Sequence, residues 1–177
     1  MVTRSSSLTD PPIEMEVPFH RASITDAEID EVVRVLKSGW ITTGPMVKRF
    51  ETEFAAFIGA KNGVALNSCT AGLHLALEAL GVKRGDAVIV PTMTFAATAE
   101  VVRYLDADPV FVDCREDDLN FDLPAVKAAY RDCVEKGKNV SAVIPVHYGG
   151  QVGDLPGLLR FARENDLKVV EDAAHCC

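Results

Sequence analysis

Gly85-Asp86-Ala87-Val88-Ile89-Val90-Pro91 opens the stretch that decides the fold. A Gly-Asp turn leads into the strand Ala87 to Val90. A helix from Phe95 to Leu105 follows, and then a second apolar run, Pro109-Val110-Phe111-Val112. Strand, helix, strand is the repeating unit of a parallel sheet. Strands that are apolar throughout, rather than alternating, imply a sheet covered on both faces.

The same alternation extends outward in both directions. Downstream, the pattern predicts a helix over Pro124 to Val134, a strand over Val140 to Ile144, a helix over Leu155 to Glu164 and a strand over Lys168 to Val170. Upstream, a helix from about Thr70 to Leu80 places Leu73, Leu77 and Leu80 on one face, and Val64-Ala65-Leu66 before it reads as a short buried strand. Val47, Phe50, Phe54, Phe57 and Ile58 mark an amphipathic helix closed by Gly59. Thr25-Asp26-Ala27-Glu28 is a capping box opening a further helix, with Ile29, Val32, Val33 and Leu36 at helical spacing and Gly39 as its stop. The expected fold class is α/β, a mostly parallel and incomplete sheet with helices on both faces and right-handed crossovers. Residues 1–16 contain Ser, Pro and acidic residues and read as a disordered lead-in, with the domain running over 17–177.

Composition narrows the function classes. The chain has 177 residues, 48% apolar and 25% charged, which is ordinary globular usage and enough for one core. A net charge of −8 argues against nucleic acid or an acidic membrane surface as the main partner. No apolar run approaches the roughly 20 residues of a membrane span, and the N-terminus carries no secretory h-region. The five cysteines are odd in number and form no Cys-x-x-Cys, so a reducing cytoplasm is expected and a disulfide framework is not.

Four stretches hold residues suited to chemistry. Asn67-Ser68-Cys69-Thr70-Ala71-Gly72 joins a strand to a helix through a Ser/Thr turn. Such a turn either points free backbone N–H groups at an anion or merely caps the helix. It is neither a P-loop nor a dinucleotide glycine fingerprint. Val169-Val170-Glu171-Asp172-Ala173-Ala174-His175 delivers a carboxylate and then an imidazole at a strand's C-terminal edge, where ligands bind in open α/β sheets. Asp172 there either pairs with a ligand cation or caps the next turn. Phe95, in Pro91-Thr92-Met93-Thr94-Phe95-Ala96-Ala97-Thr98, either stacks on a planar ring or joins the core. His147 and Tyr148 precede Gly149-Gly150, where the backbone either passes close to something or simply turns. Adjacent Cys176 and Cys177 lack structural-zinc spacing, so no metal site is expected.

These motifs, in this order and together with Gly39-Trp40-Ile41-Thr42-Thr43-Gly44-Pro45 and Val146 to Gln151, resemble the DegT/DnrJ/EryC1/StrS aminotransferases. Those are pyridoxal-phosphate (PLP) enzymes acting mostly on nucleotide-linked keto sugars. The resemblance runs from about Pro18 to the last residue and covers roughly the N-terminal half of the family's chain. It implies the large domain of PLP-dependent fold type I and a cytoplasmic homodimer with the active site at the subunit interface. It also implies an amino-acid donor, with glutamate expected, and a nucleotide-linked keto sugar as acceptor. Residue by residue, Asp172 is similar to the partner of the protonated pyridine nitrogen, and His175 to the residue at the ring's phenolic oxygen. Thr70 and Ala71, with Ser68 as a lesser candidate, resemble the phosphate binders, and Phe95 the ring-stacking aromatic. The loop from Ile41 to Pro45 is similar to a segment near the substrate entrance.

One departure matters. The family's Schiff-base lysine lies downstream of Glu-Asp-Ala-Ala-His, beyond Cys177, and no lysine in this chain sits in its motif. No catalytic residue is therefore assigned within the chain. Transamination is not expected of these residues alone, and the small C-terminal domain would also lie outside them. A PLP-dependent sugar dehydratase, with histidine replacing the lysine, and an inactive remnant are the alternatives.

Overall fold

The structure, a computed structural model, describes Pro18 and residues 21–176. The expected lead-in over 1–16, His20 and Cys177 lie outside the described residues. The chain divides into two units, residues 1–49 and 50–177.

The first unit holds α1 (Asp26–Ser38) and the start of α2 (Pro45–Ile58). Thr25 caps α1 by accepting the Ala27 N–H, and Glu28 reaches back to the Thr25 N–H, completing the capping box. Gly39, with φ of 72°, closes the helix in the left-handed region that glycine enters without penalty. The indole N–H of Trp40 donates to the Thr43 carbonyl at 3.1 Å, folding the loop on itself.

The second unit contains α3 (Cys69–Ala79), β1 (Ala87–Pro91), α4 (Ala97–Tyr104), β2 (Asp108–Val112), α5 (Leu123–Glu135), β3 (Val140–Val143), α6 (Leu155–Glu164) and β4 (Lys168–Val169). All four strands pair in parallel, in the order β2-β1-β3-β4. β1 is buried along its whole length, as its unbroken apolar run requires. Its residues divide between two layers. Val88 and Val90 face α3 and α4, meeting Leu73, Leu77, Val101 and Val102. Ala87 and Ile89 face α5 and α6, meeting Val126, Cys133, Leu158 and Ala162.

The expected strand Val64-Ala65-Leu66 does not form. Among the described residues no strand pairs with it, Val64 and Leu66 are exposed, and the Ala65 N–H donates to the Glu51 carboxylate at 2.9 Å. An apolar run becomes a strand only when a neighbouring edge accepts its backbone groups. Here a side chain takes that place.

Candidate active site

Sheet order locates the site. From β1 the chain passes to β2 on one side, then returns past β1 to β3 on the other. Loops leaving β1 and β3 diverge at that reversal and open a crevice at the C-terminal strand ends. Thr94 and Phe95 after β1, Val146, His147 and Tyr148 after β3, and Asp172, Ala174 and His175 after β4 line a small cavity there, about 50 Å³.

Asp172 is the buried carboxylate of this crevice, 5% exposed. Its backbone extends the β3–β4 pairing. The Asp172 N–H donates to the Pro145 carbonyl at 2.9 Å, and the His147 N–H donates to the Asp172 carbonyl at 3.1 Å. Its carboxylate collects three neutral donors. Thr98 donates its hydroxyl to Oδ2 at 2.7 Å, Ala174 its N–H to Oδ1 at 3.3 Å, and Cys69 its thiol to Oδ1 at 3.7 Å. Partial burial pushes the Cys69 thiol up, and the negative charge of Asp172 and the hydrogen bond to it add to the effect, so the sulfur stays protonated and donates. Among the described residues no cationic side chain pairs with Asp172. A buried carboxylate served only by neutral donors is a ready place for a ligand cation.

The start of α3 stands beside it, as the Cys69 contact shows. Ser68 is extended (φ −159°) and its hydroxyl accepts the Ala71 N–H at 3.1 Å. Ser68 is thus a helix cap, and it occupies the Ala71 donor. The N–H groups of Cys69 and Thr70 have no acceptor within the helix and sit at the positive end of its dipole.

Phe95 is 79% exposed just past β1 and not part of the core. His175 is exposed, and its Nδ1 accepts the Gly149 N–H at 3.2 Å. In the neutral ring the proton is therefore on Nε2, leaving a donor to present to a ligand oxygen. The paired glycines meet both expectations stated for them. Gly149 and Gly150 have φ of 61° and 83° in a tight turn, and a Cβ on Gly150 would lie 3.1 Å from the His175 carbonyl oxygen.

Two residues escaped the sequence reading, and so did the pairing of His147 with Glu171. Thr98 sits on the inward face of α4 with Val101 and Val102. A hydroxyl on an apolar helix face needs a buried partner, and that was the available signal. Cys69 gave none beyond its place in the turn. His147 is 2% exposed and pairs through Nε2 with Glu171 Oε2 at 2.8 Å, while its Nδ1 has no partner among the described residues. The pairing of strand ends brings those two together from positions 24 residues apart. Among the described residues no group of three or more His, Cys, Asp or Glu side chains could hold a metal ion.

The model of the DegT/DnrJ/EryC1/StrS aminotransferase family matches residues 22–177, and the chain belongs to that family. It is 46% identical over 159 residues to the spore coat polysaccharide biosynthesis protein SpsC of Bacillus subtilis, covering 90% of this chain and 39% of the relative. The fold superposes on the aminotransferase from Psychrobacter cryohalolentis with a TM-score of 0.82 and 34% identity, over 90% of this chain and 40% of that one. A proposed sugar aminotransferase, Spr1654 of Streptococcus pneumoniae in its PLP-form, matches with a TM-score of 0.81 and 35% identity, over 92% of this chain and 44% of that one. The architecture is the α/β fold of PLP-dependent fold type I. The chain spans about two-fifths of the length of these relatives.

Proposed function

We propose that this chain is the cofactor-binding portion of a PLP-dependent sugar aminotransferase. The enzyme would move an amino group from an amino acid, glutamate being the expected donor, to a nucleotide-linked keto sugar. The observation that carries the reading is the buried Asp172 carboxylate, held by neutral donors alone. When bound, PLP supplies an electron sink for the carbon that loses a proton. Asp172 keeps the ring nitrogen protonated. His175 Nε2 offers its proton to the ring oxygen. The Cys69 and Thr70 N–H groups, with the Thr70 hydroxyl, hold the phosphate, while the Ala71 N–H is taken by the Ser68 cap. Ser68 acts by capping α3, and Phe95 covers a ring face. The cavity is smaller than a substituted pyridine ring, so the fit rests on the chemistry of these groups rather than on enclosure.

The sugar substrate draws support from the naming of SpsC for polysaccharide biosynthesis. The four described cysteines are free thiols, which suits a reducing cytoplasm, and no described helix is long and apolar enough to cross a membrane. The family resemblance implies a homodimer, and we take residues 17–177 as part of its large domain. The covalent lysine is assigned outside these residues.

Equilibrium dialysis against PLP tests the reading. We expect saturable binding of one PLP per chain and no release of 2-oxoglutarate from glutamate by residues 1–177 alone. Asp172→Asn should keep the circular dichroism spectrum and weaken PLP binding about tenfold or more, as loss of a charged partner does. Unsaturable binding, or wild-type affinity in Asp172→Asn, overturns the cofactor assignment. Turnover by residues 1–177 overturns the placement of the lysine.

A further inference from the structure

We propose that Thr98 and Thr94 form a one-way hydroxyl relay that positions the Asp172 carboxylate for a protonated ring nitrogen, an inference that rests on the cofactor reading above. Thr98 is fully buried, and its Oγ1 lies 2.7 Å from Asp172 Oδ2. A carboxylate has no proton to give, so Thr98 must donate. The Thr94 and Thr98 hydroxyl oxygens are 2.6 Å apart. With the single proton of Thr98 already committed, Thr94 is the donor in that bond. Proton order is thereby set along the whole chain: Thr94 to Thr98, Thr98 to Asp172. Thr94 is half-buried and lines the cavity, so the relay runs from the cavity wall to the buried acid.

The relay dominates the orientation of the carboxylate. Its rivals on Oδ1 are an amide at 3.3 Å and a thiol at 3.7 Å, both longer and weaker than a 2.7 Å hydroxyl bond. Thr98 is itself held rigidly. Its N–H donates to the Phe95 carbonyl at 3.1 Å, and it packs on the inward face of α4 with Ala97, Val101 and Val102. The backbone between the two threonines thus carries Phe95, the proposed ring-stacking residue. Without the Thr98 hydroxyl, Oδ2 has no donor, Thr94 has no acceptor, and the carboxylate is free to turn away from the ring nitrogen. Thr98 and Thr94 are positioning residues that act through Asp172.

The experiment titrates PLP carrying a 15N-labelled ring nitrogen into the chain, reading affinity by dialysis and ring protonation by the 15N chemical shift. In the wild type the bound ring should give the shift of a protonated pyridine. Thr98→Val should raise the PLP dissociation constant about tenfold, the scale of one hydrogen bond to a charged group, and move the shift toward unprotonated pyridine. Thr98→Ser should restore both, and Thr94→Val should move both in the same direction by less. Wild-type affinity and shift in a folded Thr98→Val protein overturn the relay and leave the cofactor assignment standing. If Thr98→Val loses its native circular dichroism, Thr94→Val decides: an unchanged shift there overturns the proposal. A wild-type chain that binds no PLP, or binds it with an unprotonated ring, overturns the cofactor reading and the relay with it.

Discussion

Cys69 stands at the junction of the two halves of the site, on the first turn of α3 with its sulfur 3.7 Å from Asp172. Partial burial and the neighbouring carboxylate hold its thiol above the ordinary range of about 8.5. Only the thiolate is nucleophilic, so the rise of its alkylation rate with pH should be displaced upward from that of free glutathione. Below that rise Cys69 should react several-fold more slowly with iodoacetamide, followed by peptide mass spectrometry. Asp172→Asn removes the charge and one cause of the shift, so the rate at fixed pH should increase. An unchanged rate would separate Cys69 from Asp172 and weaken the placement of the α3 start beside the acid. The residues that carry a motif, Asp172, His175, Phe95 and Thr70, were legible from their positions at strand ends and helix starts. Thr98 was not, because its partner is 74 residues away and only the folded sheet brings them together.

The helices of the second unit differ in how their first turns are satisfied. Ser68, Asp122 and Asp154 each accept a backbone N–H, whereas Ala96 at the start of α4 has no side chain to do so. In α6 the cap and the packing meet at Gly157. Glycine in a helix interior ordinarily costs about 1 kcal/mol relative to alanine, so Gly157→Ala would normally stabilise. Here a Cβ would lie 2.2 Å from the Asp154 Oδ2 of the cap and 2.8 Å from Leu123 Cδ2. Displacing the cap forfeits about 1 kcal/mol and overpacking costs about 1–3 kcal/mol. The net expectation is destabilisation by about 1–3 kcal/mol, measured as a lower urea midpoint with an unchanged slope. A raised midpoint would show that Asp154 and Leu123 move aside freely. Helices were legible as elements because apolar spacing and caps are local. The misread strand at Val64 to Leu66 shows the limit, since an apolar run does not reveal whether an edge is present to receive it.

At the scale of the sheet, stability comes from two apolar layers that share β1. Leu77 and Leu158 are fully buried in opposite layers. Leu77→Ala and Leu158→Ala should each cost about 2–5 kcal/mol, the range for a buried leucine that leaves a cavity. Because the two sites share no partner within one layer, the double variant should lose close to the sum in urea denaturation. A strongly non-additive result would mean the sheet transmits repacking from one face to the other. The sequence by itself determined the α/β class, the alternation of strand and helix, and the identity of the groups available at strand ends. Those follow from periodicity and turn chemistry, which act over a few residues. Tertiary structure alone decided the strand order β2-β1-β3-β4, and with it the crevice where the strand order reverses. It also decided that Asp172 meets Thr98 and Cys69, that His147 meets Glu171, and that Gly149 sets the His175 tautomer. These are contacts between residues tens of positions apart, made when strands pair in register, and no local pattern encodes which ends will be neighbours.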